Sequence, residues 1–292
     1  MTMHKYLPAI GFGNFKTNKD IRPLLDSCLH FPESSCLVRD EAGSYGYLGK
    51  ACGDDFGLRL YVEYEAGSPL RESYYFPYAD TDIVSTTSPC VIEQAADRNA
   101  FSGMTEETNL GISLIFFLSN GMEYARRSKQ GPARIASISL TGLCLDGKIL
   151  LPLLKTQAQE ALVASALKAR SKLMDAARDG DPGALEQLAF SDMNLAQNVS
   201  ERLGDEDVYS LVDTCFMPCG LESDRYTIVG IIENVERLRN LLTGEELYRL
   251  ALECNGLRLS VMMARRDLLG EPAVGRRFKG DIWLQGRANF EA

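Results

Sequence analysis

Between Tyr248 and Met263 the chain can only be an antiparallel hairpin, and this limits what its C-terminal part can become. Tyr248, Leu250, Leu252 and Cys254 lie on one face of an alternating run. Leu257, Leu259, Val261 and Met263 do the same in the next run, with only Asn255-Gly256 between them. A period of two places every second side chain on one side of a strand. Asn-Gly is the dipeptide that best fits the two left-handed positions of a tight hairpin turn. Tyr226 to Val235 reads as a strand before this pair and Arg276 to Gly286 as one after it, beyond the turn-rich Gly270 to Gly275. Four strands within residues 225–292 predict a small OB-like β-barrel or open barrel.

Upstream, Asn18 is a suitable N-cap, and Ile21, Leu24, Leu25 and Leu29 recur at helical spacing until Pro32 stops the helix. Leu58, Leu60, Val62 and Tyr64 alternate as a half-buried strand. The turn cluster Ala66-Gly67-Ser68-Pro69 returns the chain through Glu72 to Phe76. Cys90 to Ala95 is a further strand, and Leu110 to Arg127 begins as a strand and continues at helical spacing. Arg134 to Leu145 alternates, and Asp146-Gly147 is expected to turn it back through Lys148 to Leu154, closing an N-terminal sheet.

The middle of the chain reads as helix. Thr156 and Gln159 have capping-box spacing, and Leu162, Val163, Ala166, Leu167, Leu173, Met174 and Ala177 form a broad apolar stripe. Gly180 with Asp181-Pro182 ends one helix and starts another, and Ser191 caps a third that ends near Gly204. The expectation is an α+β protein in three parts. These are an N-terminal mixed α/β-sheet domain over residues 1–155, a helical connector over 156–224 and the C-terminal barrel over 225–292.

A net charge of −9 argues against a surface that grips a phosphate backbone everywhere. Met1 to Phe15 lacks the basic start and apolar core of a secretory leader, and the longest apolar run, Ile112 to Leu118, is too short to span a bilayer. Eight cysteines in 292 residues are then expected to be reduced, buried thiols in the cytoplasm, with no membrane partner.

Chemistry-bearing patterns are sparse. The two histidines, His4 and His30, give acid–base or triad mechanisms few candidates. No nucleophile elbow or phosphate loop occurs, and Gly11-Phe12-Gly13 lacks the third glycine of a dinucleotide fingerprint. Cys28, His30 and Cys36, or Cys215 and Cys219, are weighed as zinc or redox sites against buried structural thiols, and the latter is preferred. Asp80-Thr81-Asp82 with Tyr74, Tyr75, Phe76 and Tyr78 is read as core aromatics ahead of an acidic loop, with an enzyme site there as the alternative. No catalytic residue, metal or cofactor is assigned.

The last strand carries more information. Phe278, Gly280, Ile282, Leu284 and Gly286 take the inner face. Arg277, Lys279, Asp281, Trp283, Gln285 and Arg287 take the outer one, so the only tryptophan lies among cations. Residues 225–292 hold 11 Lys/Arg against 9 Asp/Glu, leaving the acidic excess to the rest of the chain. Trp283 can pack on another part of the chain, anchor a protein partner, or stack single-stranded nucleic acid with help from Arg277, Lys279, Arg287 and Gln285.

Several stretches also resemble a known family. They are Met3-His4-Lys5-Tyr6-Leu7-Pro8-Ala9-Ile10-Gly11-Phe12, Gly111 to Leu118, Gly147 to Pro152, Leu242-Thr243-Gly244-Glu245, and Leu268 to Pro272 continuing through Gly275–Gly280 to Trp283-Leu284-Gln285-Gly286. Together they resemble an uncharacterised domain-of-unknown-function family of clostridial (Firmicutes) proteins of similar length. The resemblance starts at Met3, which marks Met1-Thr2 as an extension or an alternative start. It implies a Gram-positive, cytoplasmic origin and brings no activity, cofactor or catalytic residue with it. The sequence therefore predicts a non-enzymatic cytoplasmic binding or adaptor protein whose partner is another protein. A single-stranded nucleic-acid-binding module in the terminal barrel is the first alternative, and an enzyme with a site near residues 74–82 is the second.

Overall fold

The computed structural model describes residues 3–39, 43–65, 68–95, 100–107, 110–151, 214–220 and 223–291, with isolated positions between 169 and 187. A 3-10 turn, Leu7–Ile10, precedes helix α1 (Asn18–His30) and four strands, β1 (Ser34–Arg39), β2 (Gly43–Gly53), β3 (Phe56–Glu65) and β4 (Arg71–Ala79). Next come β5 (Cys90–Gln94), β6 (Phe101–Glu107), β7 (Ile112–Leu118), helix α2 (Gly121–Ser128) and the long β8 (Ile135–Leu150). The C-terminal part supplies β9 (Cys215–Pro218), β10 (Arg225–Arg239), β11 (Glu246–Cys254), β12 (Leu257–Ala264), β13 (Leu268–Leu269) and β14 (Arg277–Phe290).

These strands form two sheets. β1 to β4 make an antiparallel meander, and the other ten strands make one large sheet. Within the large sheet, β10, β11 and β12 pair antiparallel in sequence, β8 joins β12 in parallel, and β14 joins both β10 and β8 antiparallel. That closes a ring of five strands. From β14 the sheet extends outward through β7 and β6 to β5.

The expected α+β class, with a self-contained OB-like barrel over residues 225–292, is therefore corrected. The described residues are predominantly strand, and the ring is completed by β8, which comes from before the expected connector. Asp146-Gly147 is likewise no hairpin turn. β8 runs straight through it and pairs with β14 from Ile135↔Phe290 to Leu150↔Arg277, and the irregularity between Gly280 and Ile282 absorbs the extra residue. Glycine is needed at 147 for packing, since a Cβ there would lie 2.6 Å from the ring of Phe278. The helices expected from Thr156 to Gly204 lie outside the described residues, apart from a few isolated positions.

The Asn255-Gly256 hairpin forms as its sequence requires. Asn255 has φ 51° and Gly256 φ 86°, the pair of left-handed positions that this turn type demands. Helix α1 also forms where expected, with its cap one residue earlier. Thr17 is the N-cap, and Asp20 Oδ2 accepts from the N–H groups of Lys16 and Thr17, each at 2.8 Å. The helix buries Ile21, Leu24, Leu25 and Cys28 and packs on β2 and β3. No helix among the described residues is long and apolar enough to cross a membrane.

Ahead of α1, the segment from Met3 to Phe12 runs as a strap across both sheets. Its 3-10 turn contacts β4 in the meander and β8 and β12 in the ring, burying Leu7, Ala9 and Ile10. Burial of this kind is worth roughly 1.5–3 kcal/mol for each large aliphatic side chain. The strap is thus a structural part of the two-sheet core.

Candidate functional site

The outer row of β14 does not form one continuous face. Trp283 is only 7% exposed. Its ring stacks on Tyr6 at 5.4 Å and meets His4 at 5.0 Å and Phe117 at 5.3 Å, and its Nε1–H donates to Asp224 Oδ2 at 2.6 Å. A base could reach this ring only if the strap left it. The strap is pinned here as well, because His4 N–H donates to the Tyr75 hydroxyl and His4 Nδ1 accepts from Tyr6 N–H. Burial lowers the His4 pKa to about 4, pushes Tyr6 up to about 12 and raises Asp224 above the usual carboxylate range.

Gln285 and Arg287 converge on the seam between the sheets. Gln285 Oε1 accepts from Ala79 N–H and its Nε2 donates to the Pro77 carbonyl. Arg287 lies 3.6 Å from Asp80 Oδ2, which also takes Arg59 at 3.3 Å. Arg59 is buried, donates to the Ser119 carbonyl and sits over the Tyr78 ring at 4.1 Å. Asp80 is therefore held by two guanidiniums, whereas Asp82 is exposed. Tyr74 stacks on Tyr61 and Phe76 meets Phe117 edge-on, so much of the aromatic run fills the space between the sheets. Arg277 sits at the other end of β14, donating Nε–H to the Leu151 carbonyl, and Lys279 lies opposite Lys148 and Val229.

Of the cysteine groupings, Cys28 and Cys36 are buried while His30 is exposed and bonded to the Asp26 carbonyl. Burial pushes the Cys28 thiol up to about 12 and raises Cys36 and Cys215 as well, disfavouring their thiolates.

A concavity lies at the far end of the strap. Gly11 turns the chain with φ 91°, and a Cβ there would come 2.7 Å from Asn240 Cβ. Asn240 is fully buried in the loop between β10 and β11. Its Nδ2 donates to the Ile10 carbonyl at 2.6 Å, and its Oδ1 accepts from Leu242 N–H at 2.8 Å and Thr243 N–H at 3.0 Å. Thr243 Oγ1 donates to the Gly11 carbonyl at 2.7 Å, and Leu241 N–H donates to the Cys52 carbonyl. One asparagine thus fixes the strap and the loop against each other.

Between them and α1 is a cleft of about 530 Å³ walled by Phe12, Phe15, Pro23, Leu24 and Leu242. A second hollow of about 480 Å³ shares Asn14 and Thr243 with it and is walled by Glu245, Glu246, Arg265 and Arg266. Arg265 donates to Glu246 at 2.6 Å and holds that carboxyl below its ordinary range. Glu245 accepts from Gly13 N–H and lies 3.1 Å from Arg266 Nε, while Arg266 also donates to Asn14 Oδ1. Gly13 leaves room for this guanidinium, because a Cβ would fall 1.3 Å from Arg266 Nη2. Leu242 lines the cleft and is 48% exposed, and its neighbour Leu241 is 75% exposed. Sequence reasoning missed the cleft. Its one local signal was a pair of leucines directly before the polar turn Thr243-Gly244-Glu245.

The family model described as a domain of unknown function from an E. rectale gene (DUF3881) matches residues 7–286. The chain belongs to this DUF3881 family. The clostridial resemblance read from the sequence agrees with that membership. The match runs from the strap through β14, so it spans the cleft and both sheets. No similar curated protein and no similar solved structure was found.

Proposed function

We propose that this DUF3881 protein is a binding or adaptor protein without a catalytic role, and that it holds an extended segment of a partner protein in the cleft between the strap, α1 and the Asn240–Glu245 loop. The observation that carries this reading is Leu242, half exposed in the lining of a cleft between a strap and a loop that a buried asparagine joins. Ligand sites are typically concave, mostly apolar and largely preformed, with a few polar groups that set orientation. Fixed walls lose little entropy on binding, so more of the contact energy appears as affinity.

Trp283 acts indirectly in this account. Its stack with Tyr6 holds one end of the strap, and the other end of the strap forms a wall of the cleft.

The test is selection of a displayed peptide library on the full chain, with counter-selection on Leu242→Asp. Enriched peptides carrying an apolar anchor, binding the wild-type chain and weakened at least about tenfold by Leu242→Asp, are the expected result. Enriched peptides that bind both proteins equally would place the site elsewhere.

A further inference from the structure

Cations from three separate elements meet at the C-terminal end of α2. Arg126, Arg127 and Lys129 come from α2 and its C-cap, Arg39 from the end of β1, and Arg134 from the residues before β8, and all five are exposed. Contacts tie them into one surface. Lys129 Nζ donates to the Arg39 carbonyl and lies 5.6 Å from the centre of the Tyr45 ring. The charge of Arg126 is felt at Cys36, on the same strand as Arg39. The Arg127 guanidinium sits 4.6 Å over Phe290, and the next residue, Glu291, donates its N–H to the Arg134 carbonyl.

This basic surface is not neutralised. Among the described residues Arg39, Arg126, Arg127 and Lys129 have no carboxylate partner, and Arg134 lies 3.7 Å from Glu291 with both side chains more than half exposed. An exposed pair of that kind is worth about 1 kcal/mol at most, so it yields readily to a better partner. The other carboxylate on α2, Glu123, is half-buried and takes the Asn120 amide. Elsewhere most described arginines are ion-paired, as Arg22, Arg71, Arg237, Arg249, Arg258 and Arg265 are. The helix macrodipole favours cations in the last turn of α2. It gives no reason for Arg39 and Arg134, which stand outside the helix.

The chemistry of the surface selects its ligand. A guanidinium held over a ring keeps its edge N–H groups free for the two-bond fork that carboxylates and phosphates accept. Length separates those two anions. A nucleic-acid strand carries its charge past the five cations and onto a molecule of net charge −9, which repels it. A short acidic peptide segment ends where the cations end.

We infer that Arg39, Arg126, Arg127, Lys129 and Arg134 form a docking surface for an acidic segment of a partner protein, with several Asp or Glu residues close together in sequence. This surface shares no residue with the cleft and does not depend on the cleft being a binding site. Together the two give an adaptor separate places for two segments.

The test uses a fluorescein-labelled dodecapeptide that alternates Glu and Asp with Gly and Ser. Its controls are the same peptide with Gln and Asn in place of the acids, and a labelled single-stranded DNA dodecamer. In anisotropy titrations of the full chain at about 50 mM salt, the acidic peptide is expected to bind at least about tenfold more tightly than the neutral one, and to weaken toward about 500 mM. Arg39→Glu and Arg126→Glu should each weaken it at least about fivefold, with thermal unfolding checking that each variant is folded. Arg258→Glu makes the same change in net charge on β12 and should leave binding unchanged. Equal binding of the acidic and neutral peptides, or equal weakening by Arg258→Glu, would overturn the inference. So would undiminished binding of the acidic peptide to Arg126→Glu. DNA binding more tightly than the acidic peptide, and losing that binding in Arg126→Glu, would assign the surface to nucleic acid and overturn it as well.

Discussion

Asn240 Nδ2 lies 2.6 Å from the carbonyl oxygen of Ile10, a hydrogen bond that joins residues 230 positions apart and ties the strap to the Asn240–Glu245 loop. The same side chain accepts from the N–H groups of Leu242 and Thr243, so three backbone groups depend on one buried amide.

Asn240→Ala should therefore destabilise the chain by about 1–3 kcal/mol, since it leaves the buried Ile10 carbonyl without its donor. Urea denaturation measures this directly. Peptide affinity should fall with it, because the strap and the loop lose their common anchor. A loss below about 0.5 kcal/mol would mean that the strap is held elsewhere.

Trp283 should emit at short wavelength in the folded protein, as a ring enclosed by Tyr6, His4 and Phe117 requires. Tyr6→Ala should shift the emission to longer wavelength and cost about 3 kcal/mol of stability. Single-stranded DNA or RNA should leave the wild-type spectrum unchanged. Salt-sensitive quenching would instead mean that the strap leaves the ring and nucleic acid takes its place.

Burial keeps His4 neutral, with a pKa of about 4 in place of the ordinary 6.5. The fold then binds fewer protons than the unfolded chain below pH 6.5. Stability is unaffected by His4 above that pH, falls as the pH drops from 6.5 toward 4, and loses about 3 kcal/mol over that window. Asp224 has the opposite sign. Its raised pKa favours the fold below the ordinary carboxylate value, and this contribution is lost as pH rises through the folded value. Measured in an Asp224→Asn background, the slope between pH 6.5 and 4 should shrink on His4→Gln, most clearly above pH 5, leaving the part nearer pH 4 that carboxyls held below their ordinary range, such as Glu33 and Glu246, contribute. An unchanged slope above pH 5 would mean that another group carries it.

Arg59 is buried between the sheets, and its charge is balanced by Asp80. Asp80→Asn should cost about 3–5 kcal/mol, because it leaves a buried guanidinium without its counter-charge. The double variant Arg59→Met/Asp80→Asn should recover part of that loss. Equal stability of wild type and Asp80→Asn would show that the Ser119 carbonyl and the Tyr47 and Tyr78 rings suffice to hold Arg59.

What the sequence revealed was local. The turn at Asn255-Gly256 and the helix from Asn18 to His30 are fixed by neighbouring residues, and both stand where the periodicity places them, the helix with its cap at Thr17. Asp146-Gly147 carries the same local signal as a hairpin turn, yet β14 lies alongside it and Phe278 takes the space that glycine leaves. The choice between turn and continuous strand was made by a residue more than a hundred positions away. The ring depended on the same kind of distant pairing, with β8 inserted between β12 and β14. The outer row of β14 is buried at Arg277, Trp283 and Gln285, and alternation carries no information about what covers such a row. The strap does so at Trp283, and the meander does so at Gln285 and Arg287. The cleft was invisible for the same reason, since Phe12, Leu24 and Leu242 meet only in the folded chain.

Hydrogen–deuterium exchange of the full chain, with and without a selected peptide that carries an apolar anchor, tests the central claim most directly. The account predicts slowed exchange in residues 11–16 and 240–246, and no such protection in Leu242→Asp. Peptide-induced protection confined to another surface, such as the β5–β6 edge, with residues 240–246 unchanged, would contradict it.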